Sequence, residues 1–400
     1  MTSAVSGASD PKFVAVKEEF ERNLAERGEV GASVCLSVNG ETLVDLWGGM
    51  ANPETNDPWR EDTISIVFSC SKAATALCAH ILIDRGELNP EALVSEYWPE
   101  FARNGKEKTT VRMMLNHESA LPTLRDPVRP GGFTDWDYMI QRLEDEEAFW
   151  EPGTRNGYHM INFGWTVGEL VRRVSGKSLG TFFREEVAEK TGARFWLGLP
   201  ESEDVHIAPI IPYAPKPDDQ PTEFAIKLLT DPDSIQHKSF MNNGGWDFND
   251  RKSQAAEIGG GGGLSNARGQ VAMYTPLATN DGTLVSHDRL QAMSMVTTAT
   301  QRDATLLIPT RFGPGFMKSM DNRALNAGPG TSVIMGDRAF GHVGAGGSIG
   351  FADPEAGLAF SYTMNQMGSG ILVNDRAQSL IDAAYRSLGY RTNAPGVWVK

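Results

Sequence analysis

Residues 64–86 read ISIVFSCSKAATALCAHILIDRG, and from Lys72 to Ile83 nearly every position is apolar or small, Thr75 and His80 excepted. A helix that is apolar on almost every side is a buried one, and Gly86 is its expected C-terminal stop. Elsewhere the apolar positions recur with clear periods. Phe13, Val16, Phe20 and Leu24 fall on one stripe of a predicted helix over residues 11–28. Val34, Leu36 and Val38 alternate with small or polar residues, Asn39-Gly40 has the chemistry of a two-residue turn, and Thr42, Val44 and Leu46 return as a hairpin. Helical spacing recurs at 110–117 and 165–174, with Pro152-Gly153 breaking the chain before the second, and again at 270–278. Residues 341–351 lead into the turn Asp353-Pro354-Glu355-Ala356-Gly357, and 358–365 return as the partner strand. Asn374 is placed to cap a last helix with Leu380, Ile381, Ala384 and Leu388 inward.

The ends of the chain thus supply helices and strands, and the middle supplies helices. The predicted class is α/β (α+β): an antiparallel sheet flanked by N- and C-terminal helices, with a mostly helical insertion. The expected divisions are a loose tail over 1–10, a sheet domain from 11–75 and 255–400, and a helical domain over 76–254. Within the helical part, residues 213–250 are rich in Pro, Asp and Asn and read as a long loop with a short helical piece near 224–229. Such a segment in a compact protein is a lid or binding wall, or else a surface insertion. The five-glycine run 259–263 is followed by no G-K-[ST], so close backbone packing at a site edge is expected there instead of a phosphate cradle.

Four hundred residues suit two domains, or one with a large insertion. A net charge of −14 with interspersed signs argues against nucleic acid and anionic membranes as partners. No stretch approaches the ~20 apolar residues of a membrane span, and MTSAVSGASDPKF has neither basic nor apolar signal regions. Cys35, Cys70 and Cys78 are an odd, scattered set, read as free thiols in a reducing cytoplasm. There is no H-E-x-x-H or C-x-x-C, so neither a metal nor another cofactor is expected.

The chemistry centres on Ser69 and Lys72, three apart and so on one helix face. A lysine sunk in apolar surroundings loses its proton more readily, and the free amine can take the proton of a serine. Tyr158 follows the turn EPGTRNGY and is able to sit beside that lysine as a phenolate or a proton relay. His342 lies between glycines on a strand, which lets a substrate approach the backbone. Leu115-Asn116-His117-Glu118 reads as a structural helix end, and Cys70, although beside Ser69, has no evident base. Gly346-Gly347-Ser348-Ile349-Gly350 matches the nucleophile elbow G-x-S-x-G, but a strand-like run follows where the elbow needs a helix.

Ser69-x-x-Lys72, then PGT with Tyr158, the glycine run, and His342-x-Gly344 before FADPEAGLAFSYTMN resemble, in this order, the serine β-lactamase and penicillin-binding superfamily. Within it the chain resembles the class C β-lactamase-like carboxylesterases of family VIII, over roughly residues 31–389. The resemblance implies a β-lactamase-like fold, Ser69 as nucleophile, and general-base and relay work shared by Lys72 and Tyr158. It implies an oxyanion hole from the backbone N–H groups of Ser69 and Ala345, and substrate contacts from His342, Gly344, Gly346 and His159. Two departures stand out: Tyr158-His159-Met160 replaces Tyr-x-Asn, and His342-Val343-Gly344 replaces Lys-Thr-Gly. A neutral His342 holds a carboxylate less well than lysine, although below pH ~6.5 it would be partly charged. The expected protein is a cytoplasmic serine hydrolase acting on small-molecule carboxylic esters through an acyl-enzyme. Acyl transfer, amide or peptide cleavage, weak β-lactamase action and a non-catalytic ligand-binding relative are the alternatives, and a homo-oligomer is left open.

Overall fold

The computed structural model describes residues 5–215, 220–325, 328 and 330–400. Its centre is the predicted hairpin, Gly31–Val38 and Glu41–Asn52, joined by Asn39 and Gly40 at φ 51° and 88°. Both φ values are positive, as a type I′ turn requires and as Asn-Gly favours. The hairpin belongs to a ten-stranded antiparallel sheet that includes the short strand Asp57–Pro58 beside Glu41–Asn52. Along its main path the order is Val5–Ser9, Glu41–Asn52, Gly31–Val38, Leu358–Met364, Ile349–Asp353, Phe340–Val343, Phe316–Met317, Thr310–Gly313 and Thr298–Thr300.

Helices cover both faces. Val14–Glu26 and the C-terminal helix Asp375–Ser387 meet Val34, Leu36, Phe351 and Phe360 on one side. Ala267–Thr279 and the buried helix Cys70–Asp84 meet Cys35, Ala352 and Ala359 on the other. Successive strand residues point to opposite faces, so the larger residues fill one core and the small ones let helices approach in the other. That is why Gly31–Val38 is buried along almost its whole length. Asn374 caps the last helix by accepting from the N–H groups of Arg376 and Ala377.

Two expectations need correction. The tail expected over 1–10 is, at Val5–Ser9, an edge strand paired antiparallel with Glu41–Asn52 in the register Ala8↔Asp45. Its side chains are mostly exposed, so backbone pairing alone holds it and no hydrophobic period betrays it; residues 1–4 lie outside the described residues. Residues 341–351 are not one lead-in strand. They are two strands, Phe340–Val343 and Ile349–Asp353, folded back on each other at Gly344–Ser348.

Helix Phe163–Ser175 packs along Cys70–Asp84 and ends at Gly176 in the left-handed region. The 213–250 excursion carries two helices, Glu223–Thr230 and Ile235–Met241; its residues 216–219 lie outside the described residues. Among the described residues no helix is long and apolar enough to cross a membrane.

Candidate active site

Ser69 sits where an extended segment turns into a helix. Strand Ser65–Ile66 pairs with Leu264–Ser265, and Val67 N–H donates to the Gly263 carbonyl at 2.9 Å. Phe68 then adopts φ 46°, a left-handed conformation uncommon for an aromatic residue and costing ~1–3 kcal/mol. The turn is fixed from both sides. Ser71 Oγ donates to the Phe68 carbonyl at 2.5 Å, and the Phe68 ring is buried edge-on to Phe248 at 5.4 Å. Ser69 thereby emerges half-exposed on the first turn of a helix whose next thirteen residues are buried.

Lys72 is fully buried. Its Nζ lies 2.9 Å from Ser69 Oγ, 2.5 Å from the Met160 carbonyl and 2.6 Å from the Gly260 carbonyl. A neutral amine has two N–H groups for the two carbonyls and one lone pair for the serine proton. Burial holds the lysine well below its ordinary pKa, which favours that neutral form. The Tyr158 ring lies 4.8 Å from the same nitrogen, and the Ser69 side chain is near enough to its hydroxyl to pull the phenol pKa downward. Burial raises the phenol above its usual range, so of phenolate and relay the electrostatics favour a protonated relay. The ring is walled by His117 at 4.9 Å, Phe312 at 6.0 Å and His342 at 5.9 Å.

The glycine run does what close packing requires. Gly260 carries the carbonyl that meets Lys72, and a Cβ there would sit 2.0 Å from the Ile161 carbonyl oxygen. Gly259 accepts from Thr75 Oγ1 at 2.9 Å, and Gly263 N–H donates to Ser71 Oγ at 2.8 Å. On the opposite side a Cβ at Gly344 would stand 2.3 Å from the Val67 carbonyl oxygen. That approach brings Ala345 against the Ile66, Phe68 and Ile210 cluster beside Ser69. Among the described residues neither Ser69 N–H nor Ala345 N–H has an acceptor, as an oxyanion hole needs. Gly346, at φ 84°, completes the turn, and its carbonyl accepts from Asn374 Nδ2 at 2.9 Å.

The two candidate histidines differ from expectation. His342 Nδ1 lies 2.8 Å from the Val343 carbonyl and so carries the proton, leaving Nε2 as an acceptor without a partner. Burial lowers its pKa to about 3, so it stays neutral well below pH 6.5 and supplies no cation there. His159 is withdrawn from the substrate-binding set. It is buried, and its Nε2 accepts from Ser119 Oγ at 2.8 Å and Leu121 N–H at 3.3 Å, which commits it to the 119–121 loop. The rival nucleophiles fare no better. Ser348 is fully buried and leads from a 3-10 turn into a strand, and Cys70 is buried, its thiol raised and bonded to the His342 carbonyl.

Sequence reasoning missed three features. His117, read as structural, packs on Tyr158, and its Nδ1 accepts His159 N–H at 3.1 Å. Asp303, never singled out, accepts Tyr158 N–H with both oxygens; Asp-x-Thr is a turn signal, but nothing local ties it to a distant tyrosine. The Met160 and Gly260 carbonyls are invisible in side-chain motifs. The 213–250 excursion is in part a wall, since Trp246 stacks edge-on to Phe248 at 6.0 Å beside Phe68. Among the described residues there is no group of three or more His, Cys, Asp or Glu able to hold a metal.

With this geometry in hand, residues 16–384 match the Beta-lactamase family. The chain belongs to the Beta-lactamase family. It is 32% identical over 387 residues to the Esterase/beta-lactamase LipL of Mycobacterium tuberculosis, covering 93% of this chain and 86% of that relative. It is similar to the crystal structure of a family VIII carboxylesterase, at 36% identity and TM-score 0.81, covering 96% of this chain and 100% of that one. A penicillin-binding protein homolog from Caulobacter crescentus superposes at TM-score 0.84 with 32% identity, again over 96% and 100%. The fold and family are those that the motifs resemble.

One consequence is acid sensitivity. Burial lowers His80, His159 and His342 to about 3, and His117 well below its ordinary value. Below pH ~6.5 the unfolded chain binds protons that the folded chain refuses, so stability is present above that pH and lost as pH falls toward 3. Each such histidine contributes ~1.4 kcal/mol per pH unit to that loss. Buried carboxyls with raised values, Asp303 at about 6 among them, act with the opposite sign and reduce the slope. The melting temperature is expected to fall steadily from pH 6.5 to 4.5; a flat or rising profile by calorimetry would contradict it.

Proposed function

We propose that the protein is a serine carboxylesterase, acting through a Ser69 acyl-enzyme with Lys72 as base and Tyr158 as proton relay. The observation that carries this is the Lys72 amine, held by two carbonyls with its remaining contact 2.9 Å away on Ser69 Oγ. Ser69 Oγ attacks the ester carbonyl as its proton passes to Lys72. The Ser69 and Ala345 N–H groups receive the oxyanion, a contribution worth ~3–4 kcal/mol per donor elsewhere. Collapse breaks the C–O bond, the Tyr158 hydroxyl protonates the departing alkoxide, and Lys72 returns a proton to Tyr158. Water then repeats the sequence on the acyl-enzyme and frees the acid.

The ester reading has three supports. The relatives LipL and the family VIII carboxylesterase carry esterase names. Ala345 adjoins an apolar cluster of Ile66, Phe68 and Ile210 with Trp246, Phe248 and Met367, suited to a short acyl group or small alcohol. Met160 and a neutral His342 supply neither the amide partner nor the cation that a β-lactam would use. We retain the division into a sheet domain (11–75 and 255–400) and a helical domain (76–254), and a cytoplasmic location, as parts of this proposal.

Three measurements test it. Ser69→Ala should lower kcat by ~10⁴-fold or more while Ser348→Ala keeps most activity; an inhibitor adduct mapped to Ser348 by mass spectrometry would reverse the assignment. Activity should rise with pH as Lys72 loses its proton, and Lys72→Arg should be nearly inactive because a guanidinium does not give one up; substantial activity in that variant would place the base elsewhere. The kcat/KM for p-nitrophenyl butyrate should exceed that for nitrocefin by ~10²–10⁴-fold at pH 7.5, since two lost hydrogen bonds to charged or polar groups cost ~1.5–3 kcal/mol each. Equal values would return the protein to the β-lactamases.

A further inference from the structure

Asp303 is a fully buried carboxyl with no part in the reaction described above. Its two oxygens take Tyr158 N–H at 3.0 and 3.1 Å, and Oδ1 also takes the N–H groups of Thr305 and Leu306, each at 2.8 Å. The loop that carries it lies flat on the segment before the tyrosine. Ala304 N–H donates to the Asn156 carbonyl at 3.0 Å, and Asn156 Nδ2 donates to the Asn116 carbonyl at 2.8 Å. A Cβ at Gly157 would stand 3.2 Å from that of Ala304, so the glycine permits the close approach. The far side of the loop is gripped by the helical excursion. Buried Gln236, on Ile235–Met241, donates to the carbonyls of Ala304 at 2.9 Å and Thr305 at 2.7 Å, and Arg302 pairs with Glu223 at 2.6 Å.

We propose that Asp303 is the positioning residue for Tyr158, its ionised carboxylate seating the tyrosine backbone so that the hydroxyl meets Ser69, with Gln236 tying that seat to the excursion. This rests on the assignment of Tyr158 as proton relay. The physical reason is a mismatch of donors. All three partners of the carboxylate are N–H groups and all three reach Oδ1, so a proton goes to Oδ2; Tyr158 N–H, the one donor shared with Oδ2, then loses that second acceptor, and the bonds to Oδ1 lose the charge that strengthens them. Burial raises this carboxyl to about 6, against the backbone donors and the longer-range pull of Arg155, so the change of state falls within the working range. Among the described residues, the other ionisable groups that act on or pack against Tyr158 include Cys70, Lys72, His117 and His342, all held toward their neutral forms by burial, so none of these offsets the change.

The test is the pH profile of ester hydrolysis and of fluorophosphonate labelling, in the wild type and in Asp303→Asn. Besides the rise with pH that Lys72 sets in wild type and variants alike, the wild type should show a separate acid limb near pH 6 in kcat. Asp303→Asn should lose that limb and lower kcat by ~10–100-fold with KM changed less than ~3-fold, because its amide is uncharged and turns an N–H donor toward Tyr158 N–H where the carboxylate had Oδ2. Gln236→Ala should keep the limb with a smaller fall in kcat. A full-rate Asp303→Asn enzyme, or one that keeps the wild-type limb, would overturn the proposal. Should Asp303→Asn fail to fold, Tyr158→Phe decides. Its residual activity should lack the limb, and a limb that persists there would overturn the proposal just as well. A Tyr158→Phe enzyme of full activity would instead remove the relay reading on which the inference stands.

Discussion

One buried amine governs the arrangement of this protein. Taking a charged ammonium out of water costs several kcal/mol even after relaxation, and Lys72 is fully buried. The chain meets that cost by letting the group be neutral and giving it two carbonyl acceptors from distant segments, Met160 and Gly260. Each acceptor makes its own demand. Gly260 reaches the lysine only because neither it nor Gly164 carries a side chain, since a Cβ at Gly164 would lie 2.0 Å from Gly260 nitrogen. Met160 reaches it only because the preceding residues are pinned through Tyr158 to Asp303 and through Gly157 N–H to the His117 carbonyl. Three stretches remote in sequence therefore converge on one nitrogen.

The sheet supplies the other half of the site by the same means. Phe340–Val343 runs to the rim, where Gly344 passes so close to Val67 that only a glycine fits. The reversal at Gly344–Ser348 then leaves Ala345 N–H open beside a serine placed by a strained Phe68. Rigid strands fix one of the two proposed oxyanion donors and a helix start fixes the other, a more precise basis for a site than two loops would give.

How much of this was legible in the sequence follows from the range of each interaction. The hairpin, the buried helix, the C-terminal cap and the Ser69–Lys72 spacing were legible because each is written within a dozen residues. The edge strand Val5–Ser9 was not, because backbone pairing leaves no apolar period. The reversal inside 341–351 was not, because a glycine-rich turn between two buried strands reads as one continuous strand. His342 was visible as a residue but not as a neutral one, since its burial comes from both neighbouring strands and from Tyr158. Asp303 was silent for the plainest reason: its partner is a backbone N–H 145 residues away.

The electrostatics of the finished site explain why a histidine at 342 suits a neutral substrate. A lysine there would be a second cation beside Lys72, and like charges at short range push each other's protons off. It would lower Lys72 further while offering an anchor for a carboxylate. His342 gives up the anchor, and burial alone then holds Lys72 toward its neutral form. His117 adds another base that burial keeps uncharged in the same neighbourhood. On the proposed mechanism, when Lys72 takes the serine proton the new positive charge forms among neutral imidazoles, facing an oxyanion of opposite charge. Among the described residues the site thus holds no fixed cation, and on the proposed mechanism charge is separated only as the transition state forms. An ester, which brings no charge of its own, loses nothing by that arrangement, whereas a substrate carrying a carboxylate would have to desolvate it against a site that offers no cation among the described residues.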